Sequence, residues 1–374
     1  MKVCVPKEIR EGEKRVALVP DVISNLTKLG YEVVIESGAG VESQAPDDLY
    51  RSAGASIVSG DVLSGADVVL SVQPLSAAQM SKLKKGSVTI SFLSPTTAVD
   101  SMDAAAAAGV TAFSLELVPR ISRAQSMDAL SSQALCAGYR AALVGAELSP
   151  RFFPLLMTAA GTVTPAQVLV LGAGVAGLQA IATARRLGAV VSAYDVRPAS
   201  ADEVRSMGAT FIQLELEALE GAGGYAREMT EERAAKQREL LTPYIAKSHV
   251  VITTAAVPGR AAPRLMTKDM VDAMEPGTII VDLAAETGGN VEGSKPGEIV
   301  ETAGGVRIWG GKDVPSQLAF HASSLYARNV VNLLTLMTDA ESKSINLNFE
   351  DEIINGAAVT HGGARRTPEA KAAK

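Results

Sequence analysis

Three glycines follow a short apolar run in the middle of the chain. Residues 168–179 read VLVLGAGVAGLQ, so Gly172, Gly174 and Gly177 have the spacing GxGxxG after four apolar residues. In a strand–turn–helix, the first glycine permits a tight turn, the second lets a pyrophosphate approach the backbone, and the third lets helix and strand pack closely. Phosphates would bind the unpaired N–H groups at the positive end of the helix.

A carboxylate ends the next apolar run, which covers residues 190–194. Asp195 lies eighteen residues after Gly177, where an acidic side chain can accept both hydroxyls of an adenosine ribose and repel a 2′-phosphate. The two features together predict an NAD(H) site. Arg197 keeps NADP(H) open as an alternative, because a guanidinium can offset that repulsion. A purely structural strand, turn and helix is the other interpretation.

Polar residues precede this region of the chain. Residues 119–132, called the polar loop below, read PRISRAQSMDALSS and lead into a helix that we expect to extend to about Leu148. The polar loop could form one wall of the nucleotide site. It could equally be a solvated segment in which Asp128 occupies a first helical turn, where a negative charge is favourable.

A second polar segment, residues 221–237, reads GAGGYAREMTEERAAKQ. Its glycines permit a hinge, and Tyr225 and Met229 are large apolar side chains in otherwise charged surroundings. A flap that closes over a bound cofactor is one interpretation. A mobile surface loop without a role is the other.

The elements that must position these residues alternate between strand and helix. Five strands are predicted in the first 120 residues and about six more between residues 168 and 309. Strands that alternate with helices imply parallel sheets covered on both faces. The predicted fold class is therefore α/β, with two Rossmann-like doubly wound parallel-sheet domains.

The order of the elements predicts that one domain is inserted into the other. We expect a first α/β domain at residues 1–137 plus 319–374 and an NAD(H)-binding Rossmann domain at residues 138–318, joined by two long helices. A C-terminal hairpin is expected at residues 346–360, with Asn355-Gly356 as its turn. The last residues are low in apolar content and predict a flexible tail.

Composition excludes several classes of function. A net charge of −6 without a basic stripe argues against nucleic acid as a partner. Cys4 and Cys136 lack the spacing of a metal or redox motif, so no metal site is predicted. The N-terminus becomes charged too early for a secretion signal, and no apolar window is long enough to span a membrane. We expect a cytoplasmic protein whose membrane role, if any, depends on partners.

Three motifs together carry a family resemblance. PRISRAQSMD, TAAGTVTPAQVLVLGAGVAGLQAIATARRLGA and AGGYAREM closely resemble the NAD(H)-binding peripheral component of proton-translocating NAD(P) transhydrogenase, which shares its fold family with alanine dehydrogenase. The resemblance implies direct hydride transfer from NADH to NADP+ held by a partner subunit. It also implies a homodimer, a short membrane subunit and an NADP(H)-binding membrane subunit, with the chain peripheral to the cytoplasmic face of the inner membrane.

The resemblance also assigns residues to roles. Arg120, Gln125, Asp128 and Ser131 match the loop that holds the nicotinamide end, and Gln125 is expected to reach towards the partner's nucleotide. These four are the candidate catalytic residues. The candidate cofactor-binding residues are Arg120, Ile121, Ser122, Gln125, Ser131, Gly172, Gly174, Val175, Gly177, Asp195, Val196, Arg197, Gly224, Tyr225, Met229, Gln237 and Ala256.

Alanine dehydrogenase is the main alternative. Its reaction requires proton transfer by a side chain near the reacting carbon, and that family uses a lysine and a histidine. Here Ser71 stands near the place of the lysine, and the first histidine is His249. Arg15 does match the substrate-binding arginine of that family, but an arginine without the acid–base pair could only anchor a carboxylate. Hydride transfer between two nicotinamides needs neither an acid nor a base. A non-catalytic NAD(H)-sensing module is a third possibility.

Overall fold

The computed structural model describes residues 1–216, 230–257, 259–339 and 341–366. The chain forms two compact units: unit 1 contains Met1–Gln133 and Pro315–Lys374, and unit 2 contains Ala134–Val314. Each unit is built on one large, mainly parallel sheet. The predicted α/β class with two doubly wound sheets is therefore confirmed. None of the described helices is both long and apolar enough to cross a membrane.

Unit 1 is built on a six-stranded parallel sheet. The elements are β1 Lys2–Val5, α1 Pro20–Lys28, β2 Glu32–Glu36, α2 Asp47–Ser52, β3 Ser56–Val58, β4 Val68–Leu70, α3 Ala77–Met80, β5 Val88–Ser91, α4 Val99–Ala107 and β6 Thr111–Ser114. The strand order is β3-β2-β1-β4-β5-β6. The order of successive strands therefore reverses between β1 and β4.

Alternating side chains of the central strand pack on opposite faces of this sheet. Val3 and Val5 belong to one buried apolar cluster, whereas Cys4 belongs to another. Both faces are therefore covered, as parallel sheets require. The sequence underestimated the sheet by one strand, because β3 is short and presents only a partly buried Ile57 to the core.

The C-terminal part of unit 1 differs from the prediction. The predicted hairpin at residues 346–360 is wrong, because Asn355 and Gly356 lie inside a helix that Asp351 caps by accepting from the Ile353 N–H. Two short hairpins flank this helix instead. The elements are α10 Ala319–Leu336, β16 Thr338–Asp339, β17 Ser344–Ile345, α11 Glu352–Ala357, β18 Thr360–His361 and β19 Ala364–Arg365. The expected flexible tail lies mostly outside the described residues.

Unit 2 has a seven-stranded sheet. The elements are α5 Ala129–Leu148, which begins in unit 1 and continues in unit 2, followed by β7 Leu156–Thr158, β8 Gly161–Val163, β9 Gln167–Leu171, α6 Val175–Arg186, β10 Val190–Tyr194, α7 Ser200–Ser206, β11 Thr210–Phe211, α8 Glu231–Ala246, β12 Val250–Thr253, α9 Lys268–Asp272, β13 Ile279–Asp282, β14 Ile299–Glu301 and β15 Arg307–Gly310. The strand order is β11-β10-β9-β12-β13-β15-β14. Six strands are parallel, and the edge strand β14, which the sequence did not predict, is antiparallel.

The central strand β9 of unit 2 is buried on both faces. Val168 and Val170 pack in one apolar cluster, and Leu169 and Leu171 pack in a second. The strand order reverses between β9 and β12. In open α/β sheets, ligands bind beyond the carboxyl ends of the strands at such a reversal. The segments that follow β9 and β12 are therefore the place in unit 2 to look for a site.

Candidate functional site

The turn between β9 and α6 requires glycine at two positions. Gly172 has φ +102 and its N–H donates to the Tyr194 carbonyl. A Cβ on Gly172 would lie 2.6 Å from the hydroxyl oxygen of Thr254, and a Cβ on Gly177 would lie 1.9 Å from the Gly172 carbonyl oxygen. Packing alone therefore accounts for these two glycines.

Gly174 is different, because no described atom lies within 4 Å of the position of its Cβ. It is the N-cap of α6, no described side chain caps that helix end, and Val175 in the first turn is 41% exposed. The twelve-residue helix thus presents backbone N–H groups at an open position. An anionic group such as a pyrophosphate fits this turn on steric and electrostatic grounds.

Asp195 lies next to the same turn, at the end of β10. Its Oδ2 accepts from the Ala173 N–H over 2.7 Å and from Arg197 Nη2 over 2.9 Å. Its Oδ1 accepts from Arg197 N and Nε, both over 2.9 Å. Both carboxylate oxygens already have protein donors, and the charge is balanced by Arg197. The carboxylate is therefore less free to repel a 2′-phosphate than the sequence suggested. Val196 packs partly buried beside it.

The segment after β12 completes the neighbourhood of the turn. The Thr254 hydroxyl donates to the Gly172 carbonyl over 3.0 Å, and Ala256 is exposed two residues later. Asn290, fully buried after β13, donates to the Ala255 and Pro263 carbonyls, both over 2.8 Å. Sequence reasoning missed Thr254 and Asn290, because their contacts join residues far apart in the chain.

Helix α8 contains one candidate residue. Gln237 is buried, and its Oε1 accepts from the Tyr194 hydroxyl over 3.3 Å. Thr230 caps this helix through the Arg233 N–H, so the second half of the segment suggested as a flap is helical. The candidates Gly224, Tyr225 and Met229 lie outside the described residues.

The polar loop of unit 1 forms one short 3-10 helix, Ser122–Met127. Ala124 and Met127 are buried in the core of unit 1, whereas Gln125 between them is exposed. In a tight 3-10 turn, neighbouring side chains point in different directions. The Gln125 amide is therefore available to a group outside unit 1. In the same loop Arg120 and Ser122 are exposed, and Ile121 packs partly buried against the core.

Asp128 and Ser131 begin the long helix α5. The Asp128 carboxylate accepts from the Ser131 N–H over 2.9 Å and from the Ser131 hydroxyl over 2.6 Å. This is the capping contact expected where an acidic residue precedes a helix. Both residues are therefore held in place by the helix end, and Asp128 has a structural role whether or not it also contacts a ligand.

Arg15, the possible substrate-binding residue, is buried in a separate network of unit 1. Its Nε and Nη2 donate to the two carboxylate oxygens of Glu13 over 2.8 and 2.6 Å, and Nη1 donates to Gln133 over 2.9 Å. Burial would raise the pKa of Glu13, but hydrogen bonds and charge from Arg15 outweigh it and lower the pKa to about 2. Arg15 is thus committed to an internal carboxylate.

Ser71 and the histidines have structural surroundings. The buried Ser71 hydroxyl donates to the Gln73 carbonyl over 2.7 Å. His249 Nδ1 accepts from the Gln167 N–H, and burial followed by the nearby Arg151 lowers its pKa. His361 contacts Thr111 through Nδ1, and its ring packs against Phe349. His321 packs edge-on against Phe320.

Comparison with known proteins decides the family. Residues 4–137 match the alanine dehydrogenase/PNT N-terminal domain, and residues 141–368 match the alanine dehydrogenase/PNT C-terminal domain. This chain belongs to the alanine dehydrogenase/PNT family. The family resemblance seen in the sequence is therefore confirmed.

Relatives within the alanine dehydrogenase/PNT family include transhydrogenase subunits and alanine dehydrogenases. The Rhodospirillum rubrum protein named as the first part of NAD(P) transhydrogenase subunit alpha is 49% identical over 97% of each chain. The crystal structure of a transhydrogenase from Sinorhizobium meliloti has a TM-score of 0.86 and 45% identity, covering 98% of this chain and 99% of that one. Alanine dehydrogenase of Mycolicibacterium smegmatis is 33% identical over 79% of this chain and 76% of its own.

Proposed function

We propose that this chain is the NAD(H)-binding component of a proton-translocating NAD(P) transhydrogenase. The observation that carries the proposal is its similarity to the Rhodospirillum rubrum alpha subunit over nearly its whole length, combined with the open turn at Gly174. When bound, the nicotinamide nucleotide would donate a hydride in its reduced form or accept one in its oxidised form. Alanine dehydrogenase is the alternative activity within the same family.

The nucleotide is expected to bind along the carboxyl ends of the strands of unit 2. Gly172, Gly174, Val175 and Gly177 would surround the pyrophosphate at the N-terminus of α6. The adenosine side would contact Asp195, Val196 and Arg197, and further contacts are proposed at Gln237, Ala256, Gly224, Tyr225 and Met229. Ribose hydroxyls would have to share or replace the donors that Arg197 now gives to Asp195.

The polar loop is proposed to hold the nicotinamide end. Arg120, Ile121, Ser122, Gln125 and Ser131 would contact it, with Asp128 fixing Ser131. Hydride transfer between two nicotinamide rings requires no proton donor, so these residues would need only to orient the rings and exclude water. An exposed glutamine on an anchored turn suits contact with a second nucleotide that another protein carries.

The surroundings of Arg15 favour transhydrogenase over alanine dehydrogenase. A substrate carboxylate would have to displace Glu13, which makes two short, buried contacts with the guanidinium. Breaking a buried ion pair to accommodate a second anion is costly. The nearby Ser71 offers a hydroxyl in place of a lysine, and a hydroxyl is a poor general acid near neutral pH.

The subunit name of the relatives supports a multi-subunit assembly, and the family resemblance suggests which subunits it contains. The chain would associate with an NADP(H)-binding membrane subunit and a short membrane subunit, and would lie on the cytoplasmic face of the inner membrane through them. NADP(H) would be bound by the partner, and protons would move through the membrane subunits.

A homodimer is also proposed, and the hairpin β7–β8 is its suggested contact. Residues 152–166 contain no charged side chain, and Phe152, Leu155 and Met157 are 60, 56 and 79% exposed. An isolated two-stranded hairpin is marginally stable in water. A second copy is the favoured cover, because identical uncharged hairpin edges can pair about a twofold axis.

Hydride exchange tests the proposed function. The full chain is mixed with the co-expressed NADP(H)-binding subunit, NADPH and an NAD+ analogue whose reduced form absorbs at a distinct wavelength. We expect reduction of the analogue only when both proteins are present. Gln125→Asn should slow this exchange at least about tenfold, or about 1.4 kcal/mol of barrier, while NADH affinity stays unchanged.

Two other outcomes would contradict the proposal. Tight NADH binding without hydride exchange would support an NAD(H)-sensing module. Oxidation of NADH by pyruvate and ammonia with the chain alone would support alanine dehydrogenase. An unchanged exchange rate in Gln125→Asn would remove Gln125 from the mechanism but leave the function itself standing.

A further inference from the structure

One buried amide on α10 contacts the polar loop at two places, Ser126 and Ser132. Asn329 is 7% exposed. Its Nδ2 donates to the Ser126 carbonyl over 2.9 Å, and its Oδ1 accepts from the Ser132 hydroxyl over 2.7 Å. The side chain thus ties the 3-10 helix to the first turn of α5.

The two contacted residues adjoin the proposed catalytic residues. Gln125 precedes Ser126, Ser131 precedes Ser132, and Asp128 lies between them. Consecutive Cα atoms are about 3.8 Å apart, so a displacement of Ser126 carries Gln125 with it. Small displacements of reacting groups cost large factors in rate. The position of the Asn329 amide therefore bears directly on the geometry of the loop.

We propose that Asn329 is a positioning residue for hydride transfer, because it fixes the backbone that presents Gln125 and Ser131. This inference rests on the function proposed above. Asn329 does not itself need to touch a nucleotide, since its oxygen and one of its N–H groups are used by the loop. An amide is required because the site needs one donor and one acceptor on the same rigid group.

A chain of buried and partly buried hydrogen bonds supports this role. Gln133 Nε2 donates to the Ser132 hydroxyl oxygen over 3.2 Å, and Gln133 Oε1 accepts from Arg15 Nη1. The Arg15–Glu13 ion pair is thereby linked through Gln133 and Ser132 to Asn329. Satisfied buried networks hold their members in one arrangement. Arg15 thus helps to order the loop instead of binding a substrate.

Asn332 provides a matched control on the same helix. Its Nδ2 donates to the same Ser126 carbonyl over 3.1 Å, but this contact is solvent-exposed. Exposed hydrogen bonds compete with water and contribute less to order. Asparagine-to-aspartate substitutions at the two positions therefore make the same chemical change at the same carbonyl, once at a partly buried hydrogen bond and once at an exposed one.

The experiment measures hydride exchange by Asn329→Asp and Asn332→Asp in the complex with the NADP(H)-binding subunit. Asn329→Asp places a carboxylate oxygen against the Ser126 carbonyl. We expect at least about a tenfold lower rate at a saturating concentration of the NAD+ analogue, with the NADH dissociation constant, titrated separately, within about threefold of wild type. Lowering the pH should restore part of the rate, because a protonated carboxyl can donate again. Asn332→Asp should stay within about twofold of wild type.

A second measurement does not depend on activity. Trypsin can cut after Arg120 and Arg123, which lie in the polar loop, and Arg123 is held by exposed pairs with Asp351 and Glu352. Asn329→Asp should be cut there faster than Asn332→Asp, with other sites unchanged. Should Asn329→Asp fail to fold, Ser132→Ala removes the hydroxyl that Asn329 accepts from. It should then show faster cleavage and slower exchange.

The outcomes separate the inference from the proposed function. Suppose that wild type shows hydride exchange and that the two asparagine variants have equal exchange rates and equal tryptic cleavage. This result would overturn the positioning role of Asn329 and leave the proposed function standing. Absence of exchange in wild type would overturn the proposed function, while faster cleavage of Asn329→Asp would still support control of the loop by this residue. Equal losses in both variants would also overturn the role of Asn329.

Discussion

At the scale of single residues, the Asp195–Arg197 pair is proposed to control which nucleotide binds. The carboxylate accepts three hydrogen bonds from Arg197 and one from the Ala173 N–H. An anion balanced in this way neither attracts nor repels as strongly as an isolated one. With the adenosine placed as proposed, discrimination between NADH and NADPH would depend on how the guanidinium is shared between the carboxylate and the ligand.

We expect Asp195→Asn to weaken NADH binding by about 1–3 kcal/mol, through loss of charge-assisted hydrogen bonds to the ribose. NADPH should weaken less or bind more tightly, because the released guanidinium can meet a 2′-phosphate. An amide oxygen keeps an acceptor for the Ala173 N–H, so the turn should remain intact. Calorimetric titration of both nucleotides measures the change in selectivity.

Asp202→Asn is the control for this prediction, because Asp202 forms a similar but exposed pair with Arg205 in the neighbouring helix α7. Its nucleotide affinities should match those of wild type. If Asp195→Asn keeps wild-type affinity for both nucleotides, the adenosine does not lie where we have proposed.

At the scale of elements, the strand–turn–helix of unit 2 contains glycines with separable tasks. Gly174→Ala meets no described atom and has an ordinary negative φ. The loss of a favourable N-cap residue and the lower entropy of the unfolded chain oppose each other, so the unfolding free energy should change by less than about 1 kcal/mol. NADH affinity should fall at least about tenfold, or about 1.4 kcal/mol, because the new methyl group occupies the approach to the helix end.

Gly177→Ala should have the opposite result. Alanine normally stabilises a helix interior by about 1 kcal/mol relative to glycine. Here the Cβ would overlap the Gly172 carbonyl oxygen, so we expect destabilisation by about 1–3 kcal/mol or more. Chemical denaturation of the two variants side by side provides the measurement. A stable Gly177→Ala protein that lost only NADH affinity would contradict this division of tasks.

Elements of unit 1 are joined by Glu8, which follows β1 and accepts from the Val72 and Gln73 N–H groups beyond β4. Burial raises the pKa of Glu8 to about 7 from 4.5, although the two N–H groups favour the charged form. The folded protein therefore holds this proton where the unfolded chain has released it. Stability should fall as the pH rises from about 4.5 to about 7.

Glu8→Gln should remove this loss. Relative to wild type, the variant should gain about 1–3 kcal/mol of unfolding free energy across that pH range. Glu13 has the opposite effect at lower pH, because its pKa is lowered and its stabilising contribution is lost as the pH falls towards about 2. Glu13 is present in both proteins, so its contribution cancels when Glu8→Gln is compared with wild type. Glu11→Gln, exposed on the same segment, is the control. A difference that is constant with pH would refute the assignment.

Local signals explain which elements the sequence predicted. The glycine turn, the strand ends and Asp128 at a helix start are encoded within a few residues, and the structure has them where expected. The pair Asn355-Gly356 suggests a turn, but the same dipeptide also fits the last turn of a helix. Here that helix is α11, whose N-terminus is capped by Asp351. Short edge strands such as β14 carry too few apolar residues to be recognised.

The contacts that order the candidate site could not be predicted from the sequence. Asn329 meets Ser126 across 203 residues, and Arg15 meets Gln133 across 118. Nothing in the spacing of these residue types distinguishes them from surface polar groups. Their significance follows from burial, because a buried amide or guanidinium must find partners wherever the fold brings them.

At the scale of the whole molecule, the hairpin β7–β8 makes the oligomeric state testable. Its strands expose apolar side chains, and Met157 is 79% exposed. Unit 2 has no need of this hairpin for its own sheet, since β7 and β8 pair only with each other among the described strands. The surface is therefore expected to be covered by the second copy of the chain proposed above.

Met157→Glu should convert the dimer into a monomer, because two like charges would meet near the twofold axis with little water to screen them. Sedimentation velocity should give a single species of half the mass. The thermal midpoint of wild type should rise with protein concentration, as linked association requires, whereas that of Met157→Glu should not. Met207→Glu, an exposed apolar position of unit 2 outside the hairpin, should remain dimeric. A wild-type protein that sediments as a monomer at all concentrations would leave the exposed hairpin without its proposed partner.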